Sequence, residues 1–237
     1  MANGKISENI EEYLEVLYCN GSNGEQVSTT KLSDELGIAP GSVTQMLKKL
    51  EKLGYIRYTP YKGATLSHEG MRIARKITRK HRILEKFLLD VLKVKEENVH
   101  EQACEMEHTL SDEAERALCN MLQHPDVSPD DSVIPACNFN FESCNQCFSQ
   151  KDFDQIMNRE VNLLCISELT SDTEGTISFI RGNPDLLDDI SNLNIKVGNT
   201  LLYSVEDNQN EDNYVVIIDG EKFNIPAEMA NNIFIGI

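Results

Sequence analysis

The stretch from His100 to His108 constrains the fold and the chemistry of this chain more than any other. Wound as a helix at about 100° per residue, it places four metal-binding side chains on one stripe: His100, Cys104, Glu107 and His108. An apolar stripe lies beside them and contains Val99, Ala103, Met106 and Leu110. The stretch therefore predicts a helix with one face in a core and the adjacent face available for coordination.

A second pair of metal-binding side chains, His81 and Glu85, is spaced one helical turn apart in an upstream helix. Thiolate, imidazole and carboxylate ligands together favour a divalent transition metal over Ca²⁺ or Mg²⁺, which prefer oxygen ligands. The alternative without a metal is a buried cysteine beside solvated histidines and glutamates.

The charge of the chain is unevenly distributed, with a formal net charge of −17 overall. Residues 1–82 contain 13 Lys and Arg against 9 Asp and Glu, whereas the remainder contains 9 against 30. This asymmetry is typical of a DNA-binding head joined to a separate regulatory region. A solvated basic helix around Arg72–Lys80 would produce the same excess.

The cysteine count and the N-terminus favour a cytoplasmic protein without a membrane partner. The chain has seven cysteines, an odd number, and its first residues show no apolar signal-peptide segment. No run approaches the roughly 20 apolar residues that span a bilayer. The cysteines are therefore expected to be ligands or core residues rather than disulfides.

Residues 7–66 predict a winged helix-turn-helix. Three helices are expected at about Ser7–Asn20, Thr29–Leu36 and Gly41–Leu53, with turns at Gly21–Gly24 and after Gly37. Two short β-like runs then flank a basic, aromatic tip at residues 60–63, as in a wing. The side chains expected to contact double-stranded DNA are Thr29, Ser42, Thr44 and Gln45 near the bases and Lys48, Lys49, Lys52 and Lys62 near the phosphates.

Three further helices are expected at about His68–Lys93, 97–109 and 111–123. Their apolar side chains are more numerous than a small three-helix unit can bury, which suggests a homodimer interface.

A Pro-containing segment, residues 125–158, predicts a linker that carries Cys137, Cys144 and Cys147. Three cysteines at this spacing are typical of a Zn²⁺ site whose fourth ligand is Cys119, His124 or Cys165. Thiols in a packed or redox-sensitive loop are the alternative.

Beyond residue 158 the pattern becomes β-like. Candidate strands are 161–169, 176–181, 200–206, 214–219, 223–225 and 233–235, with a helix at 184–190. Many short strands in so short a segment predict a small β-barrel and hence an α+β chain.

Two stretches, Arg79-Lys-His-Arg-Ile-Leu-Glu85 and Val99–His108, resemble the diphtheria toxin repressor family of iron- and manganese-dependent transcriptional regulators. The resemblance covers residues 5–126 closely and the segment after 158 more loosely. It implies a winged-helix domain at 1–70, an all-helical metal-binding and dimerisation domain at 71–124 and an SH3-like, FeoA-like β domain at 159–237. The cysteine-containing linker at 125–158 lies outside the family pattern.

The resemblance also implies two metal sites. Cys104, Glu107 and His108 match the primary site, which Glu12 on the first helix completes, and His81, Glu85 and His100 match the ancillary site. Glu12 departs from the family, whose iron sensors usually have methionine there and whose manganese sensors have aspartate. Asp185 is a further candidate for the ancillary site.

The implied function is a repressor that Fe(II) activates to bind palindromic operators of metal-homeostasis genes, because Cys104 follows the iron-sensing pattern. A Mn(II)-responsive regulator is the alternative within the family. A metalloenzyme or an iron-handling adaptor protein is the alternative outside it, but no catalytic motif accompanies the ligands.

Overall fold

The computed structural model describes residues 6–21, 25–208 and 213–236. The chain divides into two compact units between Thr78 and Arg79. None of the described helices is both long and apolar enough to cross a bilayer. The turn expected at Gly21–Gly24 falls largely outside the described residues.

The first unit contains three helices, a two-stranded hairpin and the start of a fourth helix. They are α1 (Glu8–Asn20), α2 (Thr29–Leu36), α3 (Pro40–Lys52), β1 (Ile56–Thr59), β2 (Gly63–Leu66) and α4 (His68–Asp90). Ser28 caps α2 by accepting a hydrogen bond from the backbone amide of Lys31 at 3.1 Å, and Gly37 ends it at φ 64°. Pro40 opens α3, as its fixed φ suits a first turn.

Apolar side chains from α1, α2, α3 and the hairpin form the core of this unit. Fully buried members include Leu14, Leu32, Val43, Leu47 and Leu50. Each stabilises the unit by roughly 1.5–3 kcal/mol relative to an exposed position. Leu53, which sequence periodicity assigns to the same stripe, is 48% exposed because α3 has already ended.

The hairpin pairs Ile56 with Leu66 and Thr59 with Gly63 in antiparallel register. Gly63 has a φ of 128°, and a Cβ there would lie 2.2 Å from the carbonyl oxygen of Val27. Only glycine therefore fits at the start of β2, where Val27 also bridges to Ala64.

The second unit begins with the rest of α4, followed by α5 (Glu96–Glu107) and α6 (Asp112–Met121). Leu84 and Leu88 of α4 pack with Val99 and Ala103 of α5. The two later helices are shorter than expected, so His108 lies just beyond the end of α5.

A buried ion pair joins α4 to α6. Arg79 Nε donates to Glu115 Oε1 at 2.6 Å, and the two side chains are only 4% and 5% exposed.

The segment predicted to be a linker packs onto its neighbours in the same unit. It contains a short helix, α7 (Cys144–Ser149). Ile134 joins a buried cluster with Ile83 and Cys119, and Ala136 and Cys144 belong to the core of the following sheet. Its domain role stays a prediction, but its buried side chains distinguish it from a solvated spacer.

The last part of the chain forms a six-stranded antiparallel sheet in the order β3-β8-β4-β5-β6-β7. The strands are β3 (Leu163–Cys165), β4 (Thr173–Ile180), β5 (Thr200–Tyr203), β6 (Asn213–Ile218), β7 (Glu221–Pro226) and β8 (Ile233–Gly236). Helix α8 (Pro184–Asn192) follows β4, and a short helix, α9 (Ala227–Ala230), precedes β8. Strand β8 thus lies between β3 and β4.

Strand β3 is much shorter than the predicted strand 161–169. After Cys165 the chain turns through a 3₁₀ helix, Ile166–Glu168. The Glu168 carboxylate accepts a hydrogen bond from the backbone amide of Cys165 at 3.0 Å. This cap competes with strand pairing, so an extended apolar run ends early.

Candidate metal centre and nucleic-acid interface

Helices α4 and α5 carry most of the ligands predicted for the two regulatory metal sites. His81 and Glu85 lie one turn apart on α4, and His100 and Cys104 lie one turn apart on α5. Contacts between Leu84 and Leu88 on one helix and Val99 and Ala103 on the other hold these donors together. The donors therefore stand beside the apolar stripe, as the helical spacing predicts.

His81 is the centre of this donor cluster. Its Nδ1 lies 2.6 Å from Glu107 Oε2, and its Nε2 lies 3.0 Å from Glu85 Oε1 and 3.1 Å from His100 Nδ1. The Cys104 thiol is 3.9 Å from His81 Nδ1 and 3.8 Å from His100 Nε2. Donor atoms of His81, His100 and Cys104 all lie within 4.8 Å of one another, close enough to hold one metal ion.

The cluster is buried on one side and open on the other. The side chains of His81 and Glu107 are 9% and 3% exposed, whereas that of His100 is 76% exposed. Burial alone would lower the pKa of His81, but hydrogen bonds with Cys104, Glu107 and Glu85 raise it to about 12. Burial raises the pKa of the Glu85 carboxyl, but the hydrogen bond and the positive charge of His81 lower it more. The pKa of Glu85 is therefore below its usual value. Anionic donors thus hold a cation here, and a metal ion could take the place of the imidazolium proton.

The structure brings together residues that the resemblance assigns to two separate sites. His108 Nε2 lies 3.3 Å from Glu107 Oε1, so the primary-site residues join the ancillary-site residues through the contact between Glu107 and His81. Glu12 is exposed on α1 in the first unit, and Asp185 is exposed in the first turn of α8. Their roles as ligands stay predictions.

The cysteines predicted for zinc line a cavity elsewhere in the second unit. Cys137, Cys144 and Cys147 share it with two of the candidate fourth ligands, Cys119 and His124. The third candidate, Cys165, does not line this cavity, and its thiol contacts Ser167 and Glu168. Three arginines that also line the cavity, Arg79, Arg116 and Arg181, were not predicted from the sequence, because the contacts of an arginine depend on long-range folding.

The predicted DNA-contacting side chains all belong to the first unit. Ser42, Gln45, Lys48, Lys49, Lys52 and Lys62 are exposed, and Thr29 and Thr44 are half-buried. A groove between the helices and the hairpin is lined by Ser28, Thr29, Thr30, Thr44, Lys48, Tyr58, Pro60 and Tyr61. Thr30, Tyr58 and Tyr61 also line this groove and were not among the predicted DNA-contacting residues, although the sequence indicated an aromatic wing tip.

Two family models match consecutive parts of the chain. One, described as the iron dependent repressor, N-terminal DNA binding domain, matches residues 5–64. The other, described as the iron dependent repressor, metal binding and dimerisation domain, matches residues 67–136. An uncharacterized HTH-type transcriptional regulator of Methanocaldococcus jannaschii is 44% identical over 109 residues, which are 46% of this chain and 87% of that protein. The chain belongs to the iron-dependent repressor family.

Two further relatives in the iron-dependent repressor family match about half of this chain. The regulator MntR of Lysinibacillus sphaericus is 30% identical over 121 residues, or 51% of this chain and 86% of MntR. The iron-dependent repressor IdeR of Mycobacterium tuberculosis is 30% identical over 131 residues, or 55% of this chain and 57% of IdeR. The chain therefore spans only a little more than half the length of IdeR.

The fold of the family extends beyond the matched sequence. A manganese-dependent transcriptional repressor in complex with manganese has a TM-score of 0.50 at 22% identity, over 96% of this chain and 99% of that one. The metal-dependent transcriptional regulator MtsR gives the same TM-score and identity, over 98% and 100%. This likeness concerns the fold alone. It confirms the predicted α+β architecture, with a winged helix, a helical region and an SH3-like sheet.

As a member of the family, this chain is a metal-dependent transcriptional repressor. The predicted resemblance is confirmed.

Proposed function

We propose that Fe²⁺ is the metal that activates this repressor. The observation that carries the proposal is the Cys104 thiol, which stands 3.8–3.9 Å from nitrogen atoms of His81 and His100. A thiolate ligand favours Fe²⁺ over Mn²⁺, whereas carboxylate and carbonyl oxygens suit Mn²⁺. Mn²⁺ activation is the alternative, because Glu85 and Glu107 contribute hard ligands to the same cluster.

We further propose that the donor cluster separates into two metal sites on loading. Cys104, Glu107 and His108, with Glu12 as the ligand taken from the resemblance, would hold the primary ion. His81, Glu85 and His100 would hold the ancillary ion. The hydrogen bond between His81 and Glu107 must then break, so metal binding is expected to release protons and to weaken at low pH.

For DNA binding, α3 is proposed as the recognition helix and the hairpin as the wing. Ser42 and Gln45 are exposed near the start of α3, where a helix in the major groove presents its base-reading side chains. Lys48, Lys49 and Lys52 follow on the same helix and suit phosphates. Thr44 Oγ1 donates its hydrogen to the carbonyl oxygen of Pro40 at 2.9 Å. The hydroxyl oxygen of Thr44 can then still accept a hydrogen bond from the amino group of a base.

A homodimer is proposed to present two such helices to a palindromic operator. Large apolar side chains remain exposed just after α4 and at the end of α6: Val91, Leu92 and Met121 are 45%, 54% and 52% exposed. Packing against a second copy would remove this surface from water. A metal that binds the DNA-competent state more tightly would then shift the population towards it, typically by 1–3 kcal/mol.

The test is DNA binding under anaerobic conditions. Duplexes selected from a random pool in the presence of Fe²⁺ would be labelled, and binding followed by fluorescence anisotropy at fixed ionic strength. We expect Fe²⁺ to raise DNA affinity about tenfold or more over a chelated control, and to do so at lower free concentration than Mn²⁺.

Each other outcome identifies a different function. Activation by Mn²⁺ at the lower free concentration would identify the alternative member of the same class. DNA binding that is equal with and without metal would contradict metal control and favour an iron-handling adaptor. A matched control is His68→Ala, an exposed histidine outside the cluster, which should leave the metal response unchanged.

A further inference from the structure

A second cluster of metal-binding side chains lies apart from the regulatory donors. Four cysteines from three segments line one cavity: Cys119 of α6, Cys137, and Cys144 and Cys147 of α7. We call these residues, together with His124, the thiol pocket. Cys119, Cys144 and Cys147 are buried and Cys137 is half-buried, and all four are free thiols.

The imidazole of His124 lines the pocket without satisfying its own hydrogen-bonding groups. The residue is 5% exposed, and its Nδ1 lies 3.3 Å from Cys119 Sγ. Its Nε2 is buried and has no hydrogen-bond partner among the described residues. A buried ring nitrogen without a hydrogen-bond partner is unfavourable, so His124 favours a pocket that binds a ligand.

The pocket is surrounded by cations. Arg79 Nη2 donates to Cys119 Sγ at 3.1 Å, and Arg116 Nε donates to Cys147 Sγ at 3.3 Å. Arg181 is 1% exposed, and its partners within the described residues are carbonyl oxygens and the amide oxygen of Asn232. Glu115 compensates the charge of Arg79, whereas the partners described for the buried Arg181 include no carboxylate, and neutral thiols do not supply an anion.

The spacing of the donors distinguishes between kinds of metal centre. Thiolates around one Zn²⁺ lie about 3.8 Å apart, given a Zn–S bond of about 2.3 Å and tetrahedral geometry. Among the described residues, no three donor atoms of the thiol pocket lie within 4.8 Å of one another. The donors are therefore spaced more widely than the ligands of one Zn²⁺.

From these observations we propose that Cys119, Cys137, Cys144 and Cys147 bind an iron–sulfur cluster, with His124 beside it. Cysteine thiolates are the usual ligands of such clusters, and four of them suffice. Four thiolates and the cluster together carry a net negative charge, which Arg116 and Arg181 would balance. Hydrogen bonds from arginines to the sulfur atoms would tune its reduction potential. This proposal is independent of the metal that activates DNA binding.

The test uses the full chain purified without oxygen and treated with a chelator that removes loosely held Fe²⁺ from the regulatory cluster. Iron, acid-labile sulfide and zinc are then measured, together with visible absorption. We expect iron and sulfide in a one-to-one ratio. Sulfide cannot come from the regulatory donors, so this result stands whether or not Fe²⁺ activates DNA binding.

Variants make the assignment specific. Cys147→Ser and Cys137→Ser should each lose most of the sulfide and the visible absorption, whereas Cys165→Ser, a buried cysteine outside the pocket, should retain both. If a pocket variant fails to fold, alkylation of the wild-type protein before and after cluster removal replaces it: four further cysteines should then become reactive. One zinc per chain without sulfide would overturn the cluster in favour of a mononuclear site. Absence of metal, with the four thiols alkylated in folded protein, would overturn the site itself.

Discussion

The buried ion pair between Arg79 and Glu115 offers the sharpest test of how the second unit is stabilised. We predict that Glu115→Gln destabilises it by about 3 kcal/mol. Removing one partner of a buried pair typically costs 3–5 kcal/mol, because the remaining charge is uncompensated. The amide keeps an oxygen that can accept from Arg79 Nε at the present 2.6 Å, which places the loss near the lower end of that range.

Arg79 cannot escape to solvent when its partner is changed. Its side chain is 4% exposed, and its two other nitrogens donate to the carbonyl oxygen of Pro135 at 2.7 Å and to Cys119 Sγ at 3.1 Å. These contacts anchor the guanidinium in place. At roughly 2–4 °C per kcal/mol for a unit of this size, Tm should fall by about 6–12 °C.

The assay is thermal and urea denaturation of wild type and variant in the same buffer and metal state. Glu35→Gln is the matched control. Its partner Lys31 is also 2.6 Å away, but the two side chains are 41% and 52% exposed. An exposed pair of this kind contributes about 0.5 kcal/mol or less. If Glu115→Gln and Glu35→Gln change stability equally, the argument from burial is refuted.

Four further predictions concern DNA, metal, core and backbone. Gln45→Ala should cost about 1–3 kcal/mol of operator affinity and relax specificity at one position, whereas Lys49→Ala should weaken all sequences alike and flatten the salt dependence, both measured by anisotropy. Cys104→Glu should narrow or reverse the preference for Fe²⁺ over Mn²⁺ in metal-dependent DNA binding; an unchanged order would contradict the role of the thiolate. Leu84→Ala, at a fully buried position, should lose about 2–5 kcal/mol in urea denaturation. Gly70→Ala should lower Tm, because the new Cβ would lie 1.9 Å from the carbonyl oxygen of Tyr55. This clash should outweigh the helix propensity of alanine, which favours a helix over glycine by about 1 kcal/mol. A raised Tm would show that α4 shifts easily to relieve the clash.

Helical periodicity predicted the parts of the fold that local chemistry determines. Ser28, Gly37 and Pro40 mark helix ends in the sequence, and the structure places them at those ends. The spacing of His81 and Glu85, and of His100 and Cys104, also predicted which side chains share a face. Such spacings depend only on the pitch of a helix and therefore transfer directly from sequence.

Other features depend on contacts between distant segments and escaped prediction. Proline content predicted a linker but gave no indication that Ile134 and Ala136 are buried against elements far away in the chain. A helical wheel could not reveal that Glu107 would contact His81 and so join two predicted metal sites. The sequence also did not predict that arginines surround the thiol pocket, because a basic side chain usually lies in solvent.

The wing tip has a practical consequence. Tyr61 is fully exposed, at φ 65°, and the sequence contains no tryptophan. Tyr61→Trp would therefore place a single indole fluorophore at the proposed DNA surface, against a background of tyrosine emission only. Its emission would report engagement of the wing without attaching a dye to the protein.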